Sequence, residues 1–446
     1  MSTTIEPSLS KGLISNWTVS VHRKELTIEF DDFTFTFHAQ WLYDASNEEG
    51  AARDANTAFC RQPATALIKD IQYSPETLVI MWENGVISRF PSVWLRVFAP
   101  IVAQPHHSTV ASSYEIANGW SVETLNIREF NFNDIFRDTC HNDDAREGTF
   151  RTVLGCLLQE SAPGIIKVVE SPAPNIDDER NSVNTIATRL LKALFGGVFQ
   201  HPMREADMGF IIASHDKNAK KAPKLPNYDM NTVLLPHQDH VHYLHPAQIM
   251  GLYGLEGESE NTFVSIEAVL STLKNEAPTL FERLCDVPVV FARAAYHYGS
   301  PLFQGAIDTP VARSPESPNS IRHLRWHPNL AGMLLAPFDK FNETRVALQT
   351  WMEIMRRDAL QLKVLLKPGD MYVWNNFKVL HGRERVLKTP RTAVGNTVTD
   401  QVVADRYRAL KTSQLRKDIE DKWLVHMPIS QLDEMIRMIE ARKSDK

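Results

Sequence analysis

His237-Gln238-Asp239 opens a histidine-dense run, His237-Gln-Asp239-His240-Val-His242-Tyr243-Leu-His245-Pro246. On extended backbone side chains alternate, so a His and an Asp two positions apart point to the same side. They make two corners of a metal site. A third corner stands far downstream, in Lys367-Pro-Gly-Asp370-Met-Tyr-Val-Trp374-Asn-Asn-Phe-Lys-Val-Leu-His381-Gly-Arg383. There Pro368-Gly369-Asp370 has turn composition, Met371–Trp374 reads as a short strand, and His381 falls at the start of another. Two neutral imidazoles and one carboxylate on one side of a metal, with the other positions open, are the ligand set of non-haem iron(II) oxygenases. Two more residues suit that chemistry. Arg391, on the strand after His381, can grip a distal carboxylate by a bidentate pair, and Thr262 can offer it a hydroxyl.

The elements that must position these residues divide into three stretches. Residues 1–104 read as a small β-rich domain: Leu26, Ile28 and Phe30 alternate, Asp31-Asp32 breaks the run, and Phe33, Phe35 and Phe37 alternate again. Leu78–Trp82 and Val86–Phe90 flank Glu83-Asn84-Gly85, and Asn-Gly is the strongest short hairpin signal. Residues 105–145 form a linker with few periodic apolar positions. Residues 146–446 are the catalytic domain. Within it the spacing predicts helices over 148–161, 183–195, 267–284 and 342–362, and strands over 164–169, 208–213, 287–291 and 322–326. Segments 248–255 and 261–265 read as strands paired around a polar turn. The lysine-rich stretch Lys217–Lys224 reads as a solvated loop, and the Pro- and Ser-rich 300–320 as a loop over a cleft. The charged tail from Thr412 has a helical apolar stripe that docks on its own domain.

His237-x-Asp239, Thr262, Pro368-Gly-Asp370, Asn375 with Leu380-His381-Gly-Arg383, and Arg391 together resemble the signature of 2-oxoglutarate-dependent dioxygenases of the taurine dioxygenase superfamily. The branch most resembled is that of the gamma-butyrobetaine and trimethyllysine dioxygenases; Trp41-Leu-Tyr-Asp44 is similar to its Trp-Leu-Arg-Asp. The resemblance implies an α+β, mainly β fold: a double-stranded β-helix (jelly roll) with flanking helices, besides the small N-terminal domain. It implies that His237, Asp239 and His381 hold Fe(II), and that Arg391 and Thr262 anchor 2-oxoglutarate. O2 is then activated, the cosubstrate decarboxylated to succinate and CO2, and an unactivated C–H of a small polar metabolite oxidised. Desaturation or oxidative ring closure is the alternative outcome of the same chemistry. A homodimer follows from the resemblance too.

Two departures narrow these expectations. Many relatives follow Trp-Leu-Arg-Asp with a cysteine cluster for structural zinc. Here Ala45-Ser-Asn-Glu-Glu follows with only Cys60 near, and one thiol cannot make a four-ligand site. Relatives that bind a trimethylammonium group carry a tyrosine where this chain has Thr397. An aromatic cage would have to be built from Tyr228, Tyr243 or Tyr296, with Arg383 as a further substrate contact. His240, His242 and His245 read as a loop rim, Asn375 and Asn376 as turn residues, and Trp374 as core. Arg293 and Arg325 read as structural.

The chain has 446 residues, 43% of them apolar, and a formal net charge of −6. That mild acidity gives no electrostatic reason to expect nucleic acid or an anionic membrane as partner. No apolar run is long enough to span a bilayer. The first residues carry neither secretory signal zones nor an early arginine, and the four cysteines are dispersed. A cytoplasmic, rather than mitochondrial, enzyme is expected. A zinc hydrolase using the histidine cluster would leave Arg391 without a role, and an inactive binding protein would leave the whole triad without one.

Overall fold

The computed structural model describes residues 11–46, 66–103, 114–115, 119–136, 143–159, 161–175, 185–198, 210–213, 232–295, 302–313, 320–386, 391–424, 427 and 429–444. It divides into two units, Met1–Val110 with Arg408–Lys446, and Ala111–Tyr407.

In the first unit the expected alternation builds two three-stranded antiparallel sheets. One joins Ile14–Val19, Glu25–Phe30 and Thr34–His38, the other Ile68–Ser74, Thr77–Trp82 and Ile87–Pro91. The Asn84-Gly85 turn joins the last two strands, with Gly85 at φ 85°. Leu26, Ile28, Phe37, Leu78, Ile80 and Trp82 are all buried in one cluster. The C-terminal helix Ile429–Ser444 supplies Leu432, Met435, Ile436 and Ile439 to the same cluster. Arg442 ties it down by donating to the carbonyls of Lys11 and Gly12 and to Ser92 Oγ. The sequence reading grouped this tail with residues 146–407; its apolar stripe instead completes the core under the N-terminal sheets.

The second unit is built on two antiparallel-rich sheets. The larger has strand order Phe210–Ala213, Thr392–Thr399, Ala247–Glu256, Met371–Asn375, Ile165–Val169, Arg128–Asn131. The smaller has order Leu234–His237, Val379–Arg383, Ser259–Ser265, Gln361–Leu366. Met250, Leu252, Trp374 and Ala393 of the first pack with Phe263, Leu366 and Val379 of the second, so the two sheets face each other. Taken in chain order, the strands from Leu234 to Thr399 in these sheets alternate between the smaller and the larger, except that Ser259–Ser265 and Gln361–Leu366 follow one another within the smaller sheet as an antiparallel pair. That is double-stranded β-helix connectivity. The outer face of the smaller sheet, through Val264 and Leu380, lies under the helices Ile266–Glu276, Pro278–Asp286 and Phe338–Met355.

Five expectations change. The stretch 300–320, read as a loop, carries the strands Leu302–Asp308 and Val311–Arg313. Ala247–Glu256 and Ser259–Ser265 do not pair with each other; the chain crosses between sheets at Gly257-Glu258. The helix read over 267–284 is two, because Pro278 has no N–H to continue the first and instead begins the second. The helix read to Leu362 stops at Met355, and Gln361–Leu366 is a strand whose Leu362, Val364 and Leu366 face inward. Part of the expected linker, Arg128–Asn131, is an edge strand paired in parallel with Ile165–Val169.

Leu432 is fully buried. Leu432→Ala is expected to cost about 2–5 kcal/mol, read as a lowered denaturation midpoint by circular dichroism. An unchanged midpoint would mean that the helix Ile429–Ser444 is not part of this core.

Candidate metal centre

His237 ends the strand Leu234–His237, and Asp239 lies in the turn just beyond it. His381 is on Val379–Arg383, directly opposite His237 in antiparallel register. Gly382 permits that approach, since a Cβ there would stand 2.7 Å from the Leu234 carbonyl oxygen. Nε2 of His237 is 3.4 Å from Asp239 Oδ1, and Nε2 of His381 is 3.8 Å from Asp239 Oδ2. Donors about 2.0–2.2 Å from a metal and at right angles lie about 3 Å apart, so each imidazole stands near the spacing it would need to share an ion with the Asp239 carboxylate. His237 Nδ1–H donates to Leu235 O at 2.8 Å, which leaves the Nε2 lone pair for the metal.

The backbone around Asp239 is pinned. Asn376 Oδ1 accepts from Asp239 N–H, and Asn376 Nδ2 donates to the carbonyls of Asp239 and Ala247. Gln238 Nε2 donates to Asn376 O. Gln238 N–H donates to Trp326 O, and its Oε1 accepts from Trp326 N–H. Asn375 is a turn residue as expected, its Oδ1 accepting from Phe377 N–H. Asn376 does more, because it fixes the backbone of Asp239. Trp374 is core and also lies beside the His381 ring, 4.9 Å between centroids.

Burial opposes charge throughout the centre. It pushes His381 down to about 3, helped by His237 and opposed by Asp239. Burial works to raise the Asp239 carboxyl, but the His237 hydrogen bond and the neighbouring imidazoles hold it well below the usual range. His381 is thus held as a neutral imidazole and Asp239 as a carboxylate.

The anion end lies on the same inner face. Side chains directly opposite across paired strands share a face. Phe263 stands opposite His381 and Asn261 opposite Arg383, whereas Thr262 stands opposite Gly382. Thr262 therefore points to the outer face, away from His381. Asn261, one residue earlier, is on the inner face, where its Nδ2 donates to Ser259 Oγ and O. Arg391 Nε donates to the same Ser259 Oγ at 3.0 Å. Burial, with the nearby Arg383, brings the Arg391 guanidinium down to about 10. Arg383 also braces its strand, donating to Thr232 O and Glu384 O.

Tyr243 packs against the rings of His240 and His242 in the turn after Asp239. Arg325 clamps that turn, donating to the carbonyls of Val241, Tyr243 and Leu244 while paired with Asp308. Tyr228, Tyr296, Lys217–Lys224 and Cys60 lie outside the described residues, as does the Arg293 side chain. Sequence reasoning missed His327, which is fully buried and has a ring nitrogen within 4.8 Å of the donor atoms of His237 and Asp239. No motif spacing links it to the triad; only the pairing of Gln238 with Trp326 brings it in.

Residues 182–395 match the family described as taurine catabolism dioxygenase TauD, TfdA family. Gamma-butyrobetaine dioxygenase of Pseudomonas sp. (strain AK-1) is 24% identical over 317 residues, covering 69% of this chain and 71% of that protein. An asparagine oxygenase solved with Fe(II), 2S,3S-3-hydroxyasparagine and succinate matches at 16% identity and TM-score 0.43, over 60% of this chain and 88% of that one. A taurine dioxygenase from Burkholderia xenovorans matches at 15% identity and TM-score 0.37, over 58% and 83%.

The depressed His381 sets a pH dependence for the metal-free protein. The unfolded chain takes up a proton near pH 6.5 that the folded chain accepts only near 3, so stability falls as pH drops through that window. The urea midpoint is expected to be lower at pH 5 than at pH 7.5, and His381→Gln to shrink the difference. An equal drop in both proteins would remove His381 as its source.

Proposed function

We propose that this chain is an iron- and 2-oxoglutarate-dependent oxygenase that oxidises a C–H bond of a small polar metabolite, amino-acid-like or betaine-like, a reading supported by the match of residues 182–395 to the TauD, TfdA family. The observation that carries the proposal is the placing of His237, Asp239 and His381 on one inner face with Arg391, Ser259 and Asn261. His237, Asp239 and His381 would hold the iron, which when bound supplies oxygen activation coupled to decarboxylation of the cosubstrate to succinate and CO2. The three protein donors leave the other metal positions open to the 2-oxo acid and O2.

The chain's own residues do the rest by position and charge. Asn261 is two residues along its strand from Phe263, the neighbour of His381, so about 7 Å separates the metal end from the anion end. That spacing suits a five-carbon dicarboxylate. A carboxylate placed between Arg391 and Arg383 would relieve their mutual repulsion in a site shielded from water. Ser259 and Asn261 orient the arginine rather than neutralise it. Trp374, Phe263 and Tyr372 line the inner face with apolar surface that keeps water from the metal. Thr397 shares that face, opposite Met250, and offers a hydroxyl where a cage would need a ring. This favours an amino acid or another polar acid over a quaternary amine.

Asp239→Ala is expected to abolish oxygen-dependent formation of succinate from 2-oxoglutarate, and full activity in that variant would refute the assignment. Arg391→Ala is expected to raise the KM for 2-oxoglutarate by about a hundredfold, as loss of a buried charged contact implies. Asn261→Ala is expected to raise it by about tenfold while Thr262→Val leaves it unchanged; the reverse order would contradict the register.

A further inference from the structure

We propose that Gln248 is a substrate-recognition residue, and that its side-chain amide and the indole N–H of Trp374 donate to an acceptor oxygen of the substrate beside the metal centre. The inference rests on the reading of this chain as an iron- and 2-oxoglutarate-dependent oxygenase and adds a substrate contact to that site. Strand pairing places the amide. Trp374 and Met250 stand opposite each other and belong to the cluster between the two sheets, so both face inward. Gln248 lies two residues before Met250 on Ala247–Glu256 and takes the same face.

A bulge between Ala247 and Ile249 falls on the side of Thr392–Thr399 and does not disturb this placement. Toward Met371–Asn375 the ladder stays regular: Ile249 stands opposite Asn375, and the Asn376 N–H donates to Gln248 O at 2.6 Å. Asn375 turns to the outer side, its Nδ2 donating to Leu157 O of the helix Asp143–Leu158. Asn376, beside Gln248, reaches the Asp239 backbone through its own amide. Gln248 therefore faces inward at the metal end of the larger sheet. Trp374 is at the same end, its ring 4.9 Å from that of His381.

Both groups are buried and uncommitted. Gln248 is 9% exposed and Trp374 1%. Among the described residues no hydrogen bond engages the Gln248 amide, and the Trp374 Nε1–H has no acceptor. The neighbouring amides behave differently. Gln238 donates to Asn376 O and accepts from Trp326 N–H, and Asn376 is engaged through both its oxygen and its nitrogen. Buried polar groups are nearly always paired, because an unpaired one forfeits its hydration without return. A molecule bound between the sheets supplies the missing partner, and the chemistry of the pair selects it. The indole N–H only donates, whereas the glutamine amide donates and accepts. Thr397, opposite Met250 on the other neighbouring strand, adds a hydroxyl. All three groups are uncharged and suit an oxygen of a carboxamide or a carboxylate. A hydrocarbon or quaternary ammonium group in that place would leave the donors unpaired. Arg391 and Arg383 belong instead with Ser259 and Asn261 at the anion end, so this contact is separate from the one that grips the cosubstrate.

Two measurements test the assignment. The first is the urea midpoint of the ligand-free protein in Gln248→Met and Gln238→Met. Gln248→Met is expected to leave the midpoint unchanged or to raise it, since no bond is lost, while Gln238→Met lowers it. An equal drop in both would give the Gln248 amide a structural partner and overturn the proposal. The second is anaerobic calorimetry with cobalt(II), then 2-oxoglutarate, then L-asparagine, L-aspartate or L-leucine. These three side chains share one shape, and only the first two offer oxygens. The wild type is expected to bind L-asparagine or L-aspartate about tenfold more tightly than L-leucine, the former marking a carboxamide ligand and the latter a carboxylate. Gln248→Met is expected to erase that preference and to keep the cobalt and 2-oxoglutarate affinities. A wild type that binds all three alike or none of them, or a preference that survives Gln248→Met, overturns the proposal. A chain that takes up neither cobalt nor 2-oxoglutarate counts against the oxygenase reading, and the urea midpoints then decide the role of the amide.

Discussion

The centre depends on one register, the pairing that sets His237 opposite His381. A slip of one residue would turn one imidazole to the helix-covered side and dissolve the site. The register is held close by Gly382, where a side chain would collide with the Leu234 carbonyl, and is extended to Asp239 by the Asn376 amide. Asn376 bonds at once to the Asp239 and Ala247 backbones, so a turn that looks dispensable clamps a ligand.

Facing sheets give that register its chemical meaning. Because the chain alternates between the two sheets, residues from distant segments meet on one interior face. The interior is graded: imidazoles and a carboxylate at one end, aromatic rings beside them, then the Ser259, Asn261, Arg391 and Arg383 group. Polar side chains so deeply placed are tolerated because they bond to one another, as Arg391 and Asn261 do through Ser259. Burial depresses protonation of His381, whereas Asp239 is kept ionised against its burial by the neighbouring histidines.

The first unit shows a different use of the sequence. Its sheets and helices bury aromatic and aliphatic side chains around Trp94, whose ring lies 4.9 Å from that of Trp423. No group of metal-ligating side chains occurs there among the described residues.

By itself the sequence determined the strands with clear alternation, the Asn84-Gly85 hairpin, the turn at Gly369 with its φ of 89°, and the His237, Asp239 and His381 set. Those signals are local, or rest on residue types that few other roles require. Tertiary structure alone decided which strands pair, and so which of two adjacent residues shares a face with His381. Thr262 and Asn261 differ by one position and by opposite faces, which no spacing along the chain can distinguish until the partner strand is known. It also decided the place of His327, brought in by backbone hydrogen bonds between Gln238 and Trp326. The C-terminal helix carries an apolar stripe that any core could accept, and only the cavity under the N-terminal sheets selected it. Pattern specifies which face of an element is buried; packing specifies against what.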